Sequence, residues 1–182
     1  MRLLLLFVFI ISTCFSQNKE KLFIKNSHVS FFSWAPLEDI TAVSNQLEGV
    51  VDLKTGSFYV RIPINTFIFP SSLMQQHFND NYMESDKYPI STFKGNLNTS
   101  LIQEMNIGER FSIQADGVLN IHGIEKDVIV DVFLEKNTND KMNMFSEFDV
   151  NLKTYNIKVP KIVRMNIADT ILVKVVGQLI LE

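Results

Sequence analysis

The sequence predicts an all-β fold, an eight-stranded antiparallel barrel with one short helix near residues 71–79. Three observations predict it. About eight stretches alternate apolar with polar residues, the pattern of strands that have one buried face. Short connections join them, so neighbouring strands should pair antiparallel. The longest stretch, residues 110–123, has the length and single apolar face of a barrel strand. A two-sheet sandwich produces the same alternation and stays open as an alternative.

Residues 1–16 are predicted to be a secretory signal peptide, which leaves residues 17–182 as a single domain that is periplasmic or secreted. Arg2 precedes an apolar run, residues 3–11, that is too short to cross a bilayer as a helix. A retained anchor and lipidation at Cys14 are the alternatives. Cys14 is the only cysteine, so its removal leaves no disulfide and no thiol chemistry.

The predicted strands occupy residues 27–34, 40–53, 57–65, 90–97, 110–123, 128–135, 142–152 and 171–181. In the second of them, Val43 shares its parity with Leu47 and Val51. Gly117 lies on the apolar face of the long central strand, where a bend or bulge is common. Pro63 removes a backbone donor and therefore indicates a strand end, an edge or a bulge.

Residues 70–82 interrupt the alternation. Ser71 or Ser72 can cap a helix, in which Met74, His77 and Phe78 fall at helical spacing. This is the longest segment without a strand, and in a barrel it would lie over or beside an opening.

Catalytic and metal-binding patterns are scarce, and the sequence predicts neither an enzyme nor a metal site. Its three histidines, His28, His77 and His122, are far apart, and no zinc, nucleophile-elbow or phosphate-loop motif occurs. A metal site assembled in space stays open. We interpret His122 as a solvated turn residue, and His77 either as a partly buried helix residue or as a polar contact at a pocket mouth. The net charge of −3 gives no reason to expect nucleic acid as a partner.

Apolar side chains are in excess, with 15 phenylalanines and seven methionines. They could fill a solid core, or they could line a lumen that holds an apolar ligand. The predicted ligand-binding residues share the apolar parity of a strand or the helix: Phe58, Val60, Ile62, Met74, His77, Phe78, Phe93, Phe111, Ile113, Met144 and Phe148.

The sequence resembles the YceI-like family. Residues 117–126 (GVLNIHGIEK) resemble that family's glycine-to-lysine strand and turn, and residues 74–78 (MQQHF), 82–89 (YMESDKYP) and 92–93 (TF) resemble its helix and the strand that follows. The resemblance implies an exported, lipocalin-like barrel that holds a long isoprenoid chain, such as an isoprenoid quinone or a polyprenyl phosphate.

The leading hypothesis is therefore an exported lipid-binding or carrier protein whose partner is an apolar lipid, with transient contact to a membrane. A solid-cored stress-response or interaction module without a ligand is the main alternative. An outer-membrane barrel, with its apolar face turned outward, is a further one. A homodimer also stays open.

Overall fold

The computed structural model describes residues 20–34, 39–160 and 166–182. The predicted signal peptide lies outside the described residues. The strands are β1 Lys21–Ser33, β2 Ile40–Ser44, β3 Glu48–Asp52, β4 Ser57–Pro63, β5 Ile90–Leu97, β6 Arg110–Ile121, β7 Ile124–Thr138, β8 Lys141–Asn151 and β9 Thr170–Leu181, with helices α1 Ser72–His77 and α2 Thr99–Gln103. Single 3₁₀ turns span Ile64–Thr66 and Leu152–Tyr155, and a π-helical turn spans Phe78–Tyr82.

The strands form one closed antiparallel barrel. Each of β3 to β8 pairs with the next strand along the chain, and β1 closes the ring by pairing with both β3 and β9. The strand β2 pairs with the second half of β1, and β3 pairs with its first half, so β2 and β3 occupy one strand position in succession. The barrel therefore has eight positions, which confirms the predicted fold.

The predicted strand over residues 40–53 is wrong in one respect, because residues 45–47 divide it into β2 and β3. The interruption changes the parity of the buried face: Ala42 and Ser44 are buried in β2, whereas Val51 is buried in β3. Val43, which the alternation placed on the inner face, instead exchanges backbone hydrogen bonds with Ile68. An alternation rule assumes an unbroken strand and cannot detect such a change of register.

The first strand is longer than predicted, because it begins at Lys21 rather than near residue 27. Its pairing with β9 shifts between Lys25 and His28, and Asn26 adopts a left-handed conformation with φ 49°. A bulge of this kind places an extra residue in one strand and breaks the alternation. The first half of β1 was therefore not recognisable as a strand.

The apolar faces of the strands point into the barrel and the charged faces point outward. Phe58, Ile113, Leu134 and Met144 are buried in the interior. Cross-strand ion pairs, such as Arg61 with Glu48, Lys94 with Glu125 and Lys174 with Glu147, lie among exposed side chains. This orientation is the reverse of that expected for a barrel whose apolar face meets lipid.

The two ends of the barrel are covered differently. Residues 71–89, here named the cap segment, connect β4 to β5 and contain α1 and the π-helical turn. The Ser71 side chain caps α1 by accepting a hydrogen bond from the Met74 amide. The opposite end is covered by α2, a helix that the sequence did not predict; Ile102 in this helix and Met105 just after it are buried. At five residues, α2 is too short to show helical periodicity.

Strands β5 and β6 approach each other at a glycine pair, Gly95 opposite Gly117. A Cβ atom at Gly117 would overlap the carbonyl oxygen of Lys94. A side chain at this position would therefore force the two strands apart. Gly177 in β9, also on the inner face, has room for a Cβ in ordinary contact with Ile24 and Met144.

We expect Gly117→Ala to lower the free energy of unfolding by about 1–3 kcal/mol, because the added methyl group overpacks a backbone contact. Gly177→Ala is the matched control and should leave the stability unchanged or raise it by up to about 1 kcal/mol. Chemical denaturation of both variants measures the difference. Equal stabilities for the two variants would show that the close approach of β5 and β6 is wrong.

Candidate functional site

A cavity of about 580 Å³ occupies the barrel interior. Every strand contributes side chains to its wall, and the cap segment adds residues at one end. The wall is almost entirely aliphatic and aromatic. Cavities that hold small molecules usually have about 300–1,000 Å³ and a mainly apolar lining, so the barrel is large enough for a ligand.

Ten of the eleven predicted ligand-binding residues line this cavity: Phe58, Val60, Ile62, Met74, His77, Phe78, Phe93, Ile113, Met144 and Phe148. Most of them were predicted from the alternation along each strand, and Met74, His77 and Phe78 were predicted from the helical spacing of α1. Their contact with a ligand stays a prediction.

Phe111 is the exception, because it does not line the cavity. It is half-buried at the start of β6, opposite Leu134, and borders a shallow external groove beside Phe133 and Phe145. Phe111 has the inner parity but lies at the α2 end of the barrel. Parity identifies the face of a strand and gives no information about depth along the barrel axis.

The polar groups in the cavity wall are mostly bonded to the protein itself. The Ser146 hydroxyl donates to the Asp131 carbonyl at 2.8 Å, and the Ser33 hydroxyl accepts from the Ala168 amide at 2.8 Å. The Arg61 guanidinium donates two hydrogen bonds to Glu48. Among the described lining residues, no carboxylate is present to meet a ligand. The deep part of the cavity therefore suits an uncharged chain.

Four phenylalanines hold the cap segment against the barrel. The Phe78 ring centroid lies 5.6 Å from that of Phe31, 5.8 Å from that of Phe67 and 5.0 Å from that of Phe69. Offset and edge contacts at these distances are favourable beyond the area that they bury. Phe67 and Phe69 follow β4 and lie outside the alternating stretches, so parity did not identify them as part of the site.

The mouth of the cavity lies beside α1. Leu73 and His77, one helical turn apart, line the cavity and are also exposed, Leu73 by 59%. His77 is thus a polar group at the mouth rather than a partly buried helix residue. Tyr82 lies in the wall nearby, and burial raises the pKa of its phenol.

His122 is not the solvated turn residue that its parity suggested. Its side chain is only 10% exposed, and its Nε2 lies 2.8 Å from Glu84 Oε2 in the cap segment. Its Nδ1 lies 3.2 Å from the Tyr155 carbonyl oxygen, and the Tyr88 ring packs edge-on at 4.5 Å. Glu84 and His122 are 38 positions apart, so no local pattern could have paired them.

The residues that the structure describes contain no cluster of three or more His, Cys, Asp or Glu side chains arranged to hold a metal ion. None of their helices has the length and apolar character needed to cross a membrane.

We expect Phe78→Ala to lower the free energy of unfolding by about 2–4 kcal/mol, because the loss of the ring leaves a gap among three other phenylalanines. Phe133→Ala, which removes a ring 51% exposed on the outer face, is the matched control and should cost less than about 1 kcal/mol. Urea denaturation measures both. A cost for Phe78→Ala no larger than that of the control would contradict the packing described for the cap segment.

The family model of the YceI-like domain matches residues 21–179. No curated protein matches the sequence. One similar solved structure is a polyisoprenoid-binding domain from Saccharophagus degradans implicated in plant cell wall breakdown, with 13% identity, a TM-score of 0.79, and coverage of 90% of this chain and 99% of that one.

Two other solved structures are similar. BcnA from Burkholderia cenocepacia shares 17% identity at a TM-score of 0.68, over 84% of this chain and 95% of its own. A YceI protein from Campylobacter jejuni shares 16% identity at a TM-score of 0.54, over 70% and 75%. At these identities the structures establish a common fold. Because the family model covers most of the chain, the resemblance seen in the sequence is confirmed, and this protein belongs to the YceI-like family.

Proposed function

We propose that this protein is an exported lipid-binding protein that holds an isoprenoid chain in its barrel cavity and carries it without chemical change. One observation carries the proposal: an apolar cavity of about 580 Å³ extends from the mouth beside α1 into the barrel. A cavity of this size supports a ligand-binding role over that of a solid-cored module.

Burial of the chain would supply the affinity. Each CH₂ group removed from water contributes about 0.8 kcal/mol, so a few isoprene units suffice for useful binding. Methionines at the mouth and in the wall, Met74 and Met144, can adapt to an irregular chain. The polyisoprenoid-binding domain from S. degradans has the same fold and supports this class of ligand.

The head group of the ligand would stay at the mouth. The described residues of the cavity wall include no carboxylate, and their one arginine, Arg61, already pairs with Glu48. A quinone ring or a phosphate would instead reach solvent beside His77. The exposed Leu73 next to it would meet the membrane during transient contact, when the chain is loaded or released.

Export is the part of the proposal that rests on the sequence. Arg2 and the apolar run over residues 3–11 have the composition of a signal peptide. A periplasmic or secreted location would expose the protein to membranes that contain isoprenoid lipids, and a binding protein without catalysis would serve to move them.

We expect Ala115→Phe to reduce binding of geranylgeraniol at least about tenfold, because the new ring would occupy cavity volume needed by the chain. Ala115 is buried and lines the cavity. Gln114→Phe places the same ring on the exposed outer face of β6 and is the matched control. Displacement of the neutral probe N-phenyl-1-naphthylamine measures binding, and circular dichroism verifies that both variants fold. Undiminished binding by folded Ala115→Phe would contradict the proposed site.

The cavity volume predicts a preferred chain length. At about 30 Å³ per non-hydrogen group, the share of one water in the liquid, the cavity holds about 20 carbons, or four isoprene units. Affinity for prenyl alcohols should therefore rise with chain length up to four isoprene units and then stay constant, because further units would remain outside the cavity. A competition series with chains of about two to eight units tests this expectation. A continued rise in affinity beyond five or six units would contradict it.

A further inference from the structure

The contact between His122 and Glu84 links two connecting segments that are not paired with each other as strands. His122 lies at the β6–β7 turn, and Glu84 lies in the cap segment. Both adopt left-handed backbone conformations, with φ 53° for His122 and φ 44° for Glu84. Such conformations are costly for residues other than glycine and persist where the surrounding structure requires them. At His122 the positive φ, shared with Gly123, is the conformation that a two-residue hairpin turn requires, and this turn holds the His122 side chain within reach of Glu84.

The two ring nitrogens of His122 both face acceptors. Nε2 lies 2.8 Å from a carboxylate oxygen of Glu84, and Nδ1 lies 3.2 Å from the carbonyl oxygen of Tyr155. A neutral imidazole has one N–H group and can donate to only one of them, whereas an imidazolium has two and can donate to both. In the neutral form, one ring lone pair faces an oxygen lone pair, and the His122 side chain, only 10% exposed, has little access to water there.

We propose that His122 is a positioning residue that fastens the cap segment over the cavity mouth when it is doubly protonated. Cap opening, and with it ligand exchange, is then slower at acidic pH than at alkaline pH. The inference deepens the proposed function, because the cap segment covers the cavity in which the lipid would lie. Cap opening is faster at alkaline pH because raising the pH removes one of the two N–H donors of His122.

Among the described residues, Glu84 is the charged partner of His122, and Lys87 is a second charged group that interacts with the Glu84 carboxylate. Lys87 lies over the Tyr88 ring at 4.8 Å, and the same tyrosine packs against His122 and against Gly123, where an added Cβ would lie 2.6 Å from its ring. On the β7 side of the turn, Glu125 is paired with Lys94. In the 3₁₀ turn, the carbonyl oxygen of Tyr155 faces His122 Nδ1. Burial raises the pKa of the Tyr155 phenol, so this group stays neutral.

The first experiment needs no ligand. Amide hydrogen exchange of the cap segment is measured at about pH 5.5 and about pH 8.5, either side of the range in which histidines ordinarily titrate, and corrected for the intrinsic pH dependence of exchange. We expect cap-segment protection to fall about five- to tenfold at the higher pH, the effect of losing one charge-assisted hydrogen bond. In Glu84→Gln and His122→Asn, protection should be low at both pH values. Asparagine is chosen because it tolerates the left-handed conformation.

The matched control is His28→Gln. His28 lies on the exposed face of β1, where its Nδ1 contacts Asn45 at 2.8 Å, and this variant should keep the full pH dependence. Barrel amides in β6 and β7 serve as an internal standard, since the proposal predicts no change there. Equal cap protection at both pH values in the wild-type protein would overturn the proposal, as would a pH dependence that survives in both Glu84→Gln and His122→Asn.

A second measurement follows release of geranylgeraniol from the loaded protein into lipid vesicles at the same two pH values. Release should be about five- to tenfold faster at the higher pH in the wild-type protein and in His28→Gln, and independent of pH in Glu84→Gln. If the protein binds no prenyl alcohol, the proposed function fails while hydrogen exchange still tests the role of His122. If release is equally fast at both pH values although the protein binds the chain, the inference fails and the proposed function stands.

Discussion

Closure of the sheet through the pairing of β1 with β9 is the constraint on which the rest of the structure depends. Nine backbone register positions join these two strands, from Leu22 opposite Leu181 to Phe32 opposite Leu172. Because pairing runs around the whole ring, the inward side chains face other strands across the interior. The alternation of residues along each strand thereby becomes an enclosed apolar space, with ion pairs left on the outer face.

The enclosed space is a cavity because the inner faces do not fill it. Phenylalanines concentrate around the mouth, where Phe31, Phe67, Phe69 and Phe78 pack on one another, while Ala115 and other small inner residues leave volume deeper in the barrel. The same aromatic cluster that holds the cap segment also forms the upper wall of the cavity. Stability of the cap and access to the cavity are consequently governed by the same contacts, and His122 and Glu84 add a polar contact between the cap segment and the β6–β7 turn.

The sequence predicted the barrel, the helix α1 and ten residues of the cavity wall, because these follow from local periodicity. Phe93 and Ile113, for example, could be oriented from their immediate neighbours alone. Features that depend on more than local alternation were missed or wrong. The bulge at Asn26 lies where the pairing of β1 with β9 shifts, the changed parity at Val43 accompanies the break between β2 and β3, and the position of Phe111 depends on depth along the barrel axis. Similarly, the partners of His122 come from two separate segments, the cap segment and the 3₁₀ turn Leu152–Tyr155, which no spacing rule connects.

Native mass spectrometry of the protein purified from a host that contains isoprenoid lipids, followed by solvent extraction, measures whether the cavity holds an apolar lipid. The account predicts a non-covalent mass adduct that solvent releases and that fragments in isoprene steps, with the adduct absent from the blocked variant Ala115→Phe. A bare protein mass, together with no uptake of added prenyl alcohol or quinone, would contradict it.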